Sequence, residues 1–215
     1  MRKALILLLS ITLLSLDAIS QVKLGLKFSP SIVSSRTFLP ADTLDVEPET
    51  GLFRISLGLI ADYELSDTYF VSTGLLVVPK RIGINISPEN GGSYPASQEF
   101  YDLQYIQIPA TLKLYTNEII PDGSIYFQVG AAADFKVFDQ PVEEEYQFIQ
   151  EFKPIDVSVI LGGGFEYQAG LNTVIFTGIT YNRGLANVVK TTQPTLSEEF
   201  SIRNSVLMFD IGLKF

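Results

Sequence analysis

Residues 204–215 end in a period of two: Leu207, Phe209, Ile211, Leu213 and Phe215 are apolar, with Asp210, Gly212 and Lys214 between the last four. A period of two predicts a strand with one apolar face. The pattern recurs upstream. Val22, Leu24, Leu26 and Phe28 alternate with Lys23, Gly25, Lys27 and Ser29. Phe53, Ile55, Leu57, Leu59, Ala61, Tyr63 and Leu65 oppose Arg54, Ser56, Gly58, Asp62 and Glu64, with Ile60 out of pattern. A less regular strand over 69–78 sets Val71, Leu75 and Val77 against Ser72 and Gly74. Ile106, Ile108, Ala110, Leu112 and Leu114 then oppose Gln107, Pro109, Thr111 and Lys113. Leu103 and Tyr105 stand on the other parity, which predicts a bulge near Tyr105. Pro109 has no N–H to give a ladder, so a missing hydrogen bond or a bulge is expected there too.

Three further strands complete the set. Residues 125–137 place Phe127, Val129, Ala131, Ala133, Phe135 and Val137 against Gln128, Gly130, Asp134 and Lys136. Residues 155–167 place Val157, Val159, Leu161 and Phe165 against Asp156, Ser158, Gly162, Gly164 and Glu166. Residues 173–183 place Ile175, Ile179 and Tyr181 against Gly178, Thr180 and Asn182. Long connections over 34–51, 82–101, 139–153 and 184–203 alternate with short turns at 66–68, 117–123 and 168–172. Each strand is near or above the ~9–11 residues a tilted strand needs to cross a bilayer. The predicted fold is all-β: an eight-stranded antiparallel up-and-down transmembrane β-barrel with short periplasmic turns and long external loops.

Alternation alone suits a soluble lipocalin-like barrel equally well, with its apolar face turned inward around a ligand. Three features favour an apolar exterior. The opposite face is rich in Gly, Ala and Ser, as a narrow lumen requires. The apolar face is too bulky for the inside of eight strands. Its aromatics, Phe53, Tyr63, Tyr69, Phe135, Tyr167, Tyr181 and Phe215, fall near strand ends like an interfacial girdle. On this reading the lumen receives Lys23, Lys27, Arg54, Lys113, Lys136 and Lys214 with Asp62, Glu64, Asp134, Asp156, Glu166 and Asp210. Both signs are present, so a paired, hydrogen-bonded plug is expected rather than a porin channel.

Residues 1–20 have the form of a signal peptide: Arg2 and Lys3, an apolar run over 4–16, then small Ala18 and Ser20 before Gln21. The expected mature domain is therefore 21–215, destined for the outer membrane. Its closing strand is expected to engage the barrel-assembly machinery through Phe209, Ile211, Leu213 and Phe215. The outer face is expected to meet lipid and lipopolysaccharide.

The formal charge is −9, with 24 Asp and Glu against 15 Lys and Arg. Losing Arg2, Lys3 and Asp17 removes a net positive charge and makes it −10. A nucleic-acid partner is disfavoured. Histidine and cysteine are both absent, which removes Ser-His and Cys-His nucleophile pairs and thiolate metal sites.

The segments 21–27, 103–113 (with its Ile108-Pro109-Ala110-Thr111-Leu112-Lys113 block), 130–132, 181–185 and 211–215 are similar to the PorT-like outer-membrane β-barrel family of the Bacteroidetes. The resemblance implies the barrel and the outer membrane; the secretion role of the family's namesake is not carried by these motifs.

No catalytic, cofactor-binding or metal-ligating residue is nominated. Glu143, Glu144 and Glu145 read as a solvated loop, Gly162-Gly163-Gly164 as a site of close packing, and Asp134 with Asp156 as structural ion-pair partners. The function expected is that of a non-enzymatic outer-membrane barrel working structurally or through its external loops, in adhesion, assembly or secretion. A periplasmic lipocalin-like carrier is the alternative, and a membrane-embedded enzyme the least supported.

Overall fold

A computed structural model of the protein describes residues 22–38, 44–48, 50–88, 97–142, 149–192 and 201–215. The proposed signal peptide and the Glu143–Glu145 run lie outside the described residues. Eleven strands follow in chain order: β1 (Val22–Phe38), β2 (Leu44–Pro48), β3 (Thr50–Ser66), β4 (Tyr69–Pro88), β5 (Ser97–Tyr115), β6 (Gly123–Pro141), β7 (Ile149–Phe152), β8 (Ile155–Gln168), β9 (Val174–Gly184), β10 (Val189–Thr192) and β11 (Ser201–Lys214). Eight of them close a ring in the order β1, β3, β4, β5, β6, β8, β9, β11 and back to β1, every neighbour antiparallel. The predicted eight-stranded barrel is the observed fold.

The closing seam joins β1 to β11, and at its end Leu24 and Phe215 exchange both main-chain hydrogen bonds, at 3.2 and 2.7 Å. The wall strands run from 11 residues in β9 to 20 in β4. Several therefore continue past the ~9–11 residues a bilayer needs and project from the long-loop end. The expected loops at 34–51 and 82–101 are shorter than their sequences suggest, because β1 runs to Phe38, β4 to Pro88 and β5 starts at Ser97. Three connections also carry strands: β2 pairs with β4, and β7 and β10 pair as a small sheet of their own.

The alternation resolves as the sequence implies. Leu26, Leu57, Leu75, Phe127, Val129, Leu161, Ile179 and Ile211 all stand on the outside, exposed. The seven girdle aromatics are exposed as well. The ion-pairing side chains Asp62, Lys113, Asp134, Asp156, Asp210 and Lys214 are buried inside. An apolar outside and a charged inside is the inverse of a lipocalin-like carrier, so that alternative is not favoured.

Prolines explain three gaps in the ladders. Across Pro109 the β4–β5 pairing jumps from Thr73↔Ala110 to Leu76↔Gln107 with no change of register, and Thr73 Oγ1 donates to the Pro109 carbonyl at 2.7 Å. Across Pro30 the β1–β11 pairing jumps from Phe28↔Ile211 to Ser31↔Met208. Pro79 stands two residues beyond the last β3–β4 pair, Leu57↔Val77, after which β4 next pairs on that side with β2. Each missing N–H removes one ladder bond.

The bulge expected near Tyr105 is present in the β5–β6 pairing, but on the opposite strand. Lys136 pairs with Tyr105 and Phe138 with Gln104, leaving Val137 as the extra residue. Strand β5 itself runs unbroken, and Leu103 and Tyr105 face inward because that end of the lumen is apolar.

Candidate functional site

The lumen is filled in layers. Nearest the short turns, Asp62 of β3 accepts hydrogen bonds from Lys113 Nζ at 2.8 Å, Lys214 Nζ at 2.7 Å and Ser72 Oγ. Glu166 of β8 takes Lys214 and the Tyr115 hydroxyl, the latter at 2.7 Å, with Lys113 Nζ 4.0 Å away. Two cations meet two anions, drawn from four strands. The rings of Tyr115 and Phe176 lie 5.8 and 5.5 Å from Lys214 Nζ, and Tyr126 lies 5.2 Å from Lys113 Nζ, adding cation–π attraction. Such a pairing offsets the desolvation that an isolated buried charge would suffer.

The middle layer centres on Asp210. Lys27 Nζ lies 2.8 Å from its carboxylate, Ser29 donates at 2.7 Å and Thr180 at 2.5 Å. Gln128 in turn donates to Thr180 at 2.7 Å. Beside this layer is an internal cavity of about 30 Å³, bordered by Lys27, Gln128, Thr180 and Asn182, space for about one or two water molecules. Tyr126 fills the lumen between the two layers. Its hydroxyl sits 2.7 and 2.5 Å from where Cβ atoms would stand on Gly164 and Gly178. These glycines make room for the ring, which explains Gly164 of the glycine run; a Cβ on Gly162 would instead meet Gln128 and Thr180.

The third layer has Lys80 of β4 between two carboxylates, 2.8 Å from Asp134 and 3.3 Å from Asp156. Asp134 and Asp156 are cross-strand partners in β6 and β8. Gln107 donates to Asp134 at 2.7 Å, and the Tyr105 ring lies 4.4 Å from Lys80 Nζ.

Above the third layer the interior turns apolar. Ile82, Tyr101, Leu103 and Tyr105 from the wall pack against Ile149 and Phe152 of β7, Val188, Val189 of β10, and Ile202. Phe152 meets Tyr101 edge to face at 5.2 Å, a favoured aromatic geometry. The Tyr101 hydroxyl donates to Glu99 and accepts the Ile149 N–H at 3.1 Å. Lys136 reaches the Phe152 carbonyl at 2.9 Å and Asp139 at 2.6 Å. Asn187 Oδ1 accepts the N–H groups of Val189 and Ile202, both at 3.0 Å. The β7–β10 sheet is thus a plug seated in the long-loop mouth. The short-turn mouth carries an open pocket of about 260 Å³ beside Lys23, Phe70, Tyr115, Glu166 and Lys214.

Of the charged residues expected in the lumen, Lys27, Lys113, Lys214, Asp62, Asp134, Asp156, Glu166 and Asp210 come together as pairs. Lys23 and Glu64 stand at the short-turn mouth, and Lys136 at the plug. Arg54 departs from the expectation. Its guanidinium bonds Asp102 at 2.9 Å beside Arg81. Asp102 falls between inward Tyr101 and Leu103, so this cluster lies on the outer side of the rim. Beyond Val77 the β3–β4 ladder is interrupted, and through that gap Arg54 reaches it. Lys80, Phe70, Tyr105, Tyr126 and Phe176 are lumen residues that the alternation did not nominate. Lys80 shares the parity of Ser72 and Gly74, so the signal existed, but it lies beyond the expected strand end at Val78.

A closed ring of eight strands, an apolar belt outside and a paired polar lumen inside define a transmembrane β-barrel. The family of outer membrane protein β-barrel domains matches residues 18–190, and the chain belongs to that family. Solved structures similar to it include Ail, the attachment invasion locus protein of Yersinia pestis, at 15% identity over 90% of this chain and 97% of that one, TM-score 0.39. Neisserial surface protein A is 11% identical over 89% and 97%, TM-score 0.47. The N-terminal barrel domain of Pseudomonas aeruginosa OprF is 12% identical over 89% and 97%, TM-score 0.40. No curated protein matches the chain.

Proposed function

We propose that this outer-membrane barrel is non-enzymatic and non-conducting, and that it acts through its long-loop end in adhesion, assembly or secretion. The observation that carries this reading is the filled lumen: three polar layers capped by a plug of β7 and β10. A side chain needed for transport would have to leave a buried ion pair, and breaking one costs about 3–5 kcal/mol. The reading makes the barrel a membrane-anchored frame presenting an outer surface. The absence of histidine and cysteine from the sequence supports a role without catalysis.

Within this proposal the chain is a PorT-like protein of the Bacteroidetes, exported by its first twenty residues. It is inserted by the assembly machinery reading Phe209, Ile211, Leu213 and Phe215. Its outer rim sits among lipopolysaccharide headgroups.

The test is complementation of a deletion strain, scored for adhesion and for secreted protein. One allele is wild type; in the other, residues 143–148 and 193–200 are replaced by Gly-Ser connectors. The altered barrel should insert and migrate normally yet fail to complement. Full complementation by it would overturn the assignment to the long-loop end.

A further inference from the structure

On the outer face of the closing seam, directly above the girdle, the wall carries a cluster of arginines. Tyr181 of β9, Leu207 of β11, Ile32 of β1 and Phe53 of β3 form one outward row: Tyr181 pairs with Leu207, Leu207 with Ile32 and Ile32 with Phe53. Residues 207–215 already supply the ~9–11 residues of a tilted crossing. The row therefore stands at the boundary between acyl chains and headgroups at the long-loop end. One step beyond it, Arg183 pairs with Ser205 and Ser205 with Ser34. One step further, Arg203 pairs with Arg36. None of these paired positions holds a carboxylate.

The side chains converge on β11. Arg36 Nη2 crosses that strand to donate to the Gly184 carbonyl of β9 at 3.0 Å, which sets its guanidinium beside the preceding residue, Arg183. Ser205, on the strand that Arg36 crosses, has outward parity yet is 3% exposed, and its hydroxyl has no hydrogen-bond partner. The Nε of Arg36 is buried and unpartnered as well. Among the described residues neither Arg36 nor Arg183 forms an ion pair. Arg203 has a partner of its own and adds a third guanidinium. The other arginines of the rim are placed differently, since Arg54 and Arg81 share the Asp102 carboxylate.

Like charges gathered on adjacent strands repel one another, and a buried N–H or hydroxyl without a partner is costly. An anion lying over β11 would relieve both. We propose that the seam arginines bind a phosphate group of an outer-leaflet glycolipid, the lipid A part of lipopolysaccharide. A guanidinium fork matches phosphate oxygens, and the same oxygens can accept the Arg36 Nε–H and the Ser205 hydroxyl. Position selects a lipid over a dissolved anion: the cluster faces the bilayer, one and two steps above the exposed Tyr181, Ile32 and Phe53. Strands β9, β11 and β1 span two inter-strand spacings, ~10 Å in all, so a single headgroup reaches the whole cluster. The bound lipid would brace the β1–β11 seam at the end opposite Phe215. This assignment rests on the reading that the long-loop end faces outward.

The measurement is native mass spectrometry of the full-length barrel in detergent, titrated with lipid A and with the same lipid stripped of phosphate. The phosphorylated lipid should be retained at concentrations where the stripped one is lost. Replacing both arginines, Arg36→Gln with Arg183→Gln, should weaken retention by about tenfold or more, since each removes a charge-assisted hydrogen bond. Ser205→Ala should weaken it less. Lys190→Gln, which takes a charge from the plug at the same end, should change nothing. Heat-modifiable migration shows that each variant is folded, and the single arginine substitutions decide the matter should the double one not fold. Equal retention of the two lipids, or an equal loss in Lys190→Gln, overturns the proposal. So does displacement of the lipid by inorganic phosphate or a sulfated polysaccharide, which would make the cluster a site for dissolved anions. Protease shaving of intact cells reports the orientation separately, so failure of this site and failure of that reading are told apart.

Discussion

Val129 and Gln128 are adjacent in β6 and live in different solvents. Val129 is exposed on the belt, while Gln128 donates to Thr180 inside the lumen. A lysine at 129 would place a charge against lipid, at about 2–4 kcal/mol near the bilayer midplane. At 128 it would meet the Asp210 layer and cost less. Val129→Lys should therefore lower folding stability in lipid vesicles, measured by urea titration, well below Gln128→Lys; equal losses would contradict the assigned faces. Lys214 is the sharper internal probe, because it serves Asp62 and Glu166 together. Lys214→Met removes one of two cations from that layer and leaves a buried carboxylate short of a partner. The expected loss is about 3–5 kcal/mol, and the same titration measures it. A loss under about 1 kcal/mol, the usual worth of a surface pair, would mean that water reaches the layer.

At the scale of elements, the plug and the wall are held differently. The wall strands are locked by ladders on both sides, whereas β7 and β10 form a ladder only with each other and rest on the barrel through apolar contact and single hydrogen bonds with the Lys136 and Tyr101 side chains. Phe152 is 1% exposed and central to that contact. Phe152→Ala should accelerate amide exchange across 149–152 and 189–192 while leaving β6 and β8 protected; uniform acceleration would instead make plug and wall one cooperative unit. The wall was legible in the sequence because a half-buried strand must alternate, and Leu57 through Leu65 shows it over a full crossing. Strand ends were less legible: once β4 and β5 pass the membrane surface, lipid no longer demands an apolar residue at every second position. The plug was hidden for a related reason. Strands β7 and β10 are four residues each, too short to display a period. Layering was also out of reach, since parity gives the face of Lys80 or Tyr105 but not which strands across the lumen they meet. Val137 shows the limit well: the break in pattern was visible at Tyr105, but the extra residue belongs to its neighbour.

On the scale of the whole molecule, stability rests on closure, because a barrel one pair short exposes two edges to lipid with nothing to satisfy them. The seam between β1 and β11 is interrupted at Pro30 and resumes on both sides, so its terminal pairs matter disproportionately. The last is Leu24 with Phe215, which exchange two main-chain hydrogen bonds. Removing Phe215 deletes both, together with an exposed aromatic at the short-turn end of the belt. A closed barrel in detergent resists unfolding at room temperature and migrates as a compact band until boiled. The truncated chain should show less of that band, a lower conversion temperature and a larger share outside the outer-membrane fraction. Replacing Phe215 with Leu separates the two contributions, since it keeps the backbone pair and loses only the ring. If Leu restores the compact band but not membrane delivery, closure depends on the hydrogen bonds and delivery on the aromatic. If truncation changes neither, the seam is held by the pairs from Gly25↔Lys214 onward, and its terminal pair is dispensable.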